Sequence, residues 1–361
     1  MQELTFDYRD IGKAPRLAWS VRKMYLALRG ILFAWGIYIV FTYTALLLTP
    51  ARSEGAAQLF RKYEFFPFLP VDSASIPALA VWVIGIIVMV CILLLTATAV
   101  SRIAFQDLRG NLMFQRKEAT LFTKTNRGTV LFSMFALFLL VLVFVVTFAL
   151  AGLVGRIPSV GAFILAFFSI PLFFWALAGI VVLLTFLFGF TIVPAIVACI
   201  EDDVLETVIQ TFTTIWSKPL LFFWYQIIAR VVTAFVTVLL KILSIAAFIF
   251  AIRATAPFMG NTMNEIFTIS LYRIPFLMDN LSVMKGVCAL NSLIGTPVLV
   301  DTASASGMVP LSGWILGIGY LLVGTWIISY AFTTFLSAQV LIYLTLYMRK
   351  EGKDLRAIER I

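Results

Sequence analysis

The chain of 361 residues has no histidine. That absence removes the commonest metal ligand, the commonest general base and the usual proton shuttle. Cysteine is scarce too. Cys91, Cys199 and Cys288 are far apart, so they form neither a metal-binding pattern nor a disulfide framework. There is no glycine-rich loop to cradle a phosphate, and no catalytic residue, metal or cofactor is expected. Charged residues make up only 12% of the chain, against roughly 25% in a soluble domain. With so little charge, a soluble multidomain protein is excluded, because its apolar stretches could not be hidden from water.

Those apolar stretches dominate. Hydrophobic residues reach 62%, and runs of 20 or more recur, as membrane-spanning helices require. The pattern predicts a single membrane domain over 1–361, all-α, with six spans at about 26–48, 77–100, 129–154, 162–190, 231–252 and 313–347. The segment 1–29 holds six basic residues before any apolar run and shows no small-residue cleavage site, so the first span reads as a retained anchor. If the N-terminus is cytoplasmic, the segments 1–29, 101–128, 201–218 and 348–361 carry 18 Lys and Arg, against 7 on the opposite face. The positive-inside bias then places both termini in the cytoplasm; the expected location is an inner membrane, prokaryotic by the resemblance given below. Residues 253–312 form a long outer connection, and 348–361 a cytoplasmic tail.

Two runs are too long for one straight crossing. Gly161–Ile200 has 40 residues, about 60 Å of helix against a hydrocarbon core of about 30 Å. Pro171, Gly179, Gly189 and Pro194 are the expected places for it to kink or end. The run from Pro219 to Ile252 has the same difficulty.

Between these runs lies an acidic knot, Glu201, Asp202, Asp203 and Glu206. From Val204 onward, a helical projection puts seven apolar residues on one face and eight polar ones on the other. Asp203-Val-Leu-Glu206 has capping-box spacing, and acids suit the positive end of the helix dipole. The knot therefore reads as the start of a cytoplasmic interfacial helix over 201–218, and as a docking edge. With one lysine on its polar face, that helix is expected to pack on its own bundle or on a partner rather than on anionic lipid.

The segments 114–132 and 204–222 share Phe-Thr and Leu-Phe pairs at an offset of 90 residues, and 10–30 is also short and amphipathic. A three-fold repeat of one cytoplasmic helix plus two spans is one reading; chance similarity of apolar segments is the other. Glu201, Asp202, Lys218, Pro219, Tyr225 and Arg230 follow an order of acid, amphipathic stretch, then Lys-Pro opening a span. Over about a third of the chain this resembles uncharacterised prokaryotic multi-span membrane proteins, distantly similar to the membrane domains attached to glycerophosphodiester phosphodiesterases. No phosphodiesterase domain is present, so that activity is not implied.

Lys241 falls near the centre of the fifth span, where a lysine costs about 2.5–3.5 kcal/mol to insert. Arg230 lies eleven residues earlier, on the same helical face. The pair is a candidate intramembrane charge site, or Lys241 snorkels to an interface. Gly313 and Gly317 have GxxxG spacing, and with Gly319 and Gly324 they mark helix packing, within the bundle or between copies. Gln226, Ser337 and Gln339 read as interhelical bonding groups or the lining of a path.

The expected function is that of a non-catalytic membrane subunit or scaffold. The alternative is a transporter or channel for a lipid or anionic solute using Lys241 and Arg230. An intramembrane lipid enzyme would need a catalytic pair, and none is visible. The expected partners are the bilayer, bound lipids, and other proteins or a second copy, with no nucleic acid.

Overall fold

The computed structural model describes residues 4–49, 59, 67–70, 74–158, 160–201, 203–259, 262–272 and 307–357. Among these there is no strand. The helices in chain order are α1 (Tyr8–Ile11), α2 (Ala14–Ala18), α3 (Val21–Leu47), α4 (Ile76–Arg109), α5 (Arg116–Thr125), α6 (Arg127–Gly155), α7 (Val160–Phe167), α8 (Ser169–Ile200), α9 (Val204–Trp216), α10 (Pro219–Met259), α11 (Thr262–Tyr272) and α12 (Val309–Glu351). Six of them, α3, α4, α6, α8, α10 and α12, are long and apolar enough to cross a membrane. The chain is an all-α polytopic membrane protein. In element order, one or two short helices precede a pair of long ones three times over, before α3 and α4, α6 and α8, and α10 and α12.

Each expected span is present, and the differences lie at the boundaries. The 40-residue run breaks at Phe168, between α7 and α8. Of the four expected residues, Pro171 accounts for the break: it has no N–H to give the Phe167 carbonyl four residues back, and its ring crowds that carbonyl. Pro171 sits at the third position of α8, where a missing N–H costs little because the first-turn donors have no intrahelical partner. Pro194 lies inside α8 without ending it. Gly179 and Gly189 are places of close approach instead. A Cβ at Gly179 would come 3.1 Å from Phe144, and one at Gly189 3.1 Å from Leu137, so the two glycines let α6 and α8 pack tightly. Helix also continues through the start of the expected 253–312 connection, as the end of α10 and α11. Residues 273–306 lie outside the described residues.

The described residues form two compact units, one of 1–230 and 332–361, the other of 231–331. In the first, α3 and α4 approach over Gly30 against Thr96 and Gly85 against Phe41. Its main core gathers Ile11 and Leu17, Phe105 and Leu108 of α4, Ile196 of α8, Ile215 of α9, Phe222 and Tyr225 of α10, Leu341 and Tyr343 of α12, and Leu355. The chain before the first span and the chain after the last thus pack into one core. That placement follows from an even number of crossings. In the second unit, Tyr320 stacks edge-on against Phe248 with ring centroids 4.3 Å apart, and Phe267 and Ile252 pack beside it.

The hydroxyls within the helices are largely satisfied locally. Thr98 donates to the Leu94 carbonyl and Thr185 to that of Val181, each four residues back. Such bonds let a threonine sit inside an apolar bundle without an unpaired donor.

Candidate functional site: the ion-paired end of the first unit

α4 ends at Gly110, whose φ of 94° is open to glycine and costly for other residues. Its last turns carry Arg102 and Asp107, and both are tied to distant segments. Asp107 accepts from Nζ of Lys23 at 2.9 Å, and Arg22 lies 3.5 Å from its other oxygen. Lys23 has no exposed surface, and Asp107 is also buried. The same ammonium donates to the Leu17 carbonyl in the last turn of α2. Arg22 donates to the carbonyls of Leu112 and Phe114 at 2.6 and 2.9 Å, which fixes the turn after α4.

Arg102 explains part of the acidic knot. Its guanidinium lies 2.5 Å from Oε1 of Glu201 and donates to the Ala198 carbonyl at 2.8 Å. Ala198 is in the last turn of α8, where carbonyls have no helical partner, so Arg102 supplies the missing donor. The guanidinium also lies 4.2 Å from the ring centre of Phe122 in α5. Glu201 itself adopts a left-handed conformation, φ 60°, as the C-cap of α8. Asp202 lies outside the described residues.

Asp203 is the N-cap of α9, as the sequence predicts, but its side chain makes no capping hydrogen bond. Glu206 instead accepts from Gln210 Nε2 at 2.8 Å. The helix is oriented differently from the projection as well. Thr207, Thr211 and Thr214 are buried, while Leu205 is 73% exposed and Ile209 is exposed too. The buried face is turned by roughly 100° from the predicted apolar face. The reason is chemical: Thr207 and Thr211 return their hydroxyls to carbonyls four residues back, so they pack as small side chains beside Ile215, Val208, Phe212 and Trp216, and only Leu205 and Ile209 of the apolar face are left exposed. α9 does dock on its own bundle. Ser133 of α6, whose hydroxyl donates to the Thr129 carbonyl at 2.6 Å, lies 3.3 Å from the Val204 carbonyl, and Trp216 Nε1 donates to Thr185 of α8 at 2.7 Å.

The two chain ends interlock through charge. Asp10 is fully buried and accepts from the Phe6 amide and from Lys13, both at 2.7 Å. Arg349 donates to the Phe6 carbonyl and to Asp7. The Asp354 carboxylate accepts from Arg356, at 2.7 Å for the closest pair, and the Arg356 guanidinium lies 5.2 Å from the Phe6 ring centre. Burial raises the affinity of Asp354 for a proton, but the hydrogen bonds and charge of Arg356 outweigh it and hold the carboxyl below its ordinary value. Gln226 and Gln339 form a reciprocal amide pair at 2.7 and 3.0 Å, both buried. They bond across helices rather than line a path. Ser337 is also buried.

Asp7, Asp10, Asp107, Glu201 and Asp354 are thus each held by a cation. Among the described residues, no three His, Cys, Asp or Glu side chains come together. The arrangement orients helices and neutralises charge.

The other predicted site residues lie apart from this cluster. Arg230 and Lys241 are both exposed on α10, and the first belongs to one compact unit and the second to the other. In the second unit, a Cβ at Gly313 would lie 2.5 Å from Ile269 of α11. Gly317 is buried, while Gly319 and Gly324 have no described neighbour within 4 Å of such a Cβ. The residues missed in the sequence are Lys23, Arg102 and Asp107. Lys23 and Arg102 fall in the basic segments 1–29 and 101–128, which in the sequence read only as interfacial positive charge. The available signal was the single acid in "SRIAFQDLRG", at the end of an apolar run.

No family model matches the chain, and neither does any curated protein or solved structure. The fold and the ion-paired cluster define its class, an integral membrane protein whose charges work as structural ties.

Proposed function

We propose that the chain is a non-catalytic subunit or scaffold of a larger membrane assembly, with both termini on the cytoplasmic face by the bias of its basic residues. The observation that carries this reading is Lys241. It is exposed at the middle of α10, between Val238, Leu239, Ile242 and Leu243, which are exposed as well. It makes no ion pair with a described residue. An ammonium on an outer apolar face costs about 2.5–3.5 kcal/mol in lipid. A carboxylate or a set of carbonyls on a partner helix would remove that cost. The ion-paired end of the first unit fits the reading too, because Asp7, Asp10, Asp107, Glu201 and Asp354 each meet a cation and tie helices together.

The test compares the wild-type chain with Lys241→Met after purification in mild detergent. The expected result is a stoichiometric complex, with another protein or a second copy, that K241M loses while its own elution stays monodisperse. An unchanged complex in K241M, or a wild-type chain that runs as a monomer, overturns the proposal. Labelling of K241C by a membrane-impermeant thiol reagent would point instead to a water-filled path and transport.

A further inference from the structure

Four basic residues of the first unit gather at one groove. A cavity of about 480 Å³ opens between α3 and α5, and Arg29, Arg116, Lys117 and Lys124 line it with no acid among them. None of the four is ion-paired with a described residue. Arg116 is held over the Tyr25 ring, 4.6 Å from its centre. On α5 the lining residues recur at spacings of three and four, so they form one face. The nearby acid Glu118 is engaged with the Gln115 amide at 3.0 Å, in the capping box that starts the helix. Thr120 is in the lining, with its hydroxyl bonded to the Arg116 carbonyl.

The groove also has an apolar side. Leu26 and Leu121 line it, and Leu121 is 66% exposed. From Arg29, one face of α3 runs on through Phe33, Gly36 and Val40, at spacings of four, three and four. Phe33 and Val40 are 62% and 63% exposed, and Gly36 has no described neighbour within 4 Å of a Cβ. Four unneutralised cations at the end of a spanning helix, continuous with an open apolar strip along it, match a phosphate headgroup followed by an acyl chain.

We propose that the groove between α3 and α5 binds the headgroup phosphate of an anionic phospholipid, with one acyl chain laid along Phe33 and Val40. Arg29 and Arg116 supply planar donors suited to phosphate oxygens, while Lys117 and Lys124 act as point charges. A free phosphate would use the same cations but gain nothing from the apolar strip.

The test is native mass spectrometry of the full chain in mild detergent, titrated with short-chain phosphatidylglycerol, phosphatidylcholine or inorganic phosphate. The expected result is selective retention of phosphatidylglycerol. The triple variant R29Q/R116Q/K124Q lowers its affinity by at least about tenfold, since each surface cation contributes on the order of a threefold to tenfold effect. Lys218→Gln, a charge removed outside the groove, leaves binding unchanged. Phe33→Ser weakens phosphatidylglycerol binding with all four cations intact. Should the triple variant aggregate, R29Q and K124Q are read singly, each with about a threefold loss. Equal retention of phosphatidylcholine, equal binding by the charge variants, or full competition by inorganic phosphate at equimolar concentration overturns the assignment.

Discussion

Nζ of Lys23 lies 2.9 Å from Oδ2 of Asp107, across 84 positions of sequence, with no surface of Lys23 exposed. A charge this deep depends on its partner. The Leu17 carbonyl alone leaves a buried ammonium without a counter-ion.

Asp107→Asn is therefore expected to destabilise the chain by about 3–5 kcal/mol, the usual result of breaking one side of a buried pair. Replacing both partners, with Lys23→Met and Asp107→Leu, should cost clearly less, because no charge is then stranded. Melting temperatures of wild type, D107N and the double variant K23M/D107L in the same detergent make the comparison. If D107N melts with wild type, the pair does not hold the α2–α3 turn onto α4.

The Gln226–Gln339 pair makes the same logic testable without charge. Gln226→Leu leaves the Gln339 amide buried without its partner, at a cost of about 1–3 kcal/mol. The double variant Q226L/Q339L should recover most of that loss, since two leucines fill similar space and strand no polar group. A double variant less stable than the sum of the singles would show that the amides do more than satisfy each other.

The sequence announces the six spans because apolar length is a local property: five of the expected spans fall on one long helix each, and the fourth, 162–190, is divided between α7 and α8. What it hides is pairing. Lys23 and Asp107, or Arg102 and Glu201, meet only when the helices pack, and hydropathy treats all four as interfacial charge. The α9 face fails for a related reason. Thr207 and Thr211 count as polar in a projection, yet each satisfies its hydroxyl on its own helix and packs as a small side chain. Glycine misleads in the same way, because Gly179 and Gly189 signal a kink in isolation and a close helix contact in the bundle. The break at Phe168 is legible, because Pro171 withholds the hydrogen bond that the Phe167 carbonyl would need to continue the helix.

Asp354 gives a pH dependence. Its carboxyl is held below the ordinary value of 3.8, with Arg356 outweighing the opposing effect of burial. A carboxyl with a depressed folded-state value adds stability in full above the unfolded value and loses it as pH falls through the folded one. The docking of the tail onto Phe6 should therefore be constant from neutral pH down to about 4 and weaken below that. Asp354→Asn should loosen the tail at every pH and remove the acid step. Protease susceptibility near Leu355 measured against pH checks both. An acid step of unchanged size in D354N would assign it to another group.

Gly313 separates close packing from helix propensity. Alanine in place of glycine within a helix gains about 0.5–1 kcal/mol. At Gly313, however, the new Cβ would lie 2.5 Å from Ile269 Cγ2, 2.9 Å from its Cβ and 3.3 Å from the Ile266 carbonyl oxygen. The first of these can be relieved by a side-chain rotation, but the second and third require α11 to move. Overpacking of that kind costs about 1–3 kcal/mol, so the clash outweighs the gain and Gly313→Ala should destabilise the second unit. At Gly319 and Gly324 the Cβ meets no described residue within 4 Å, and alanine there should leave the melting temperature unchanged or slightly raised. The three single variants, melted side by side in the same detergent, read this directly. A G313A protein as stable as G319A would mean that α11 does not pack against α12 at this glycine.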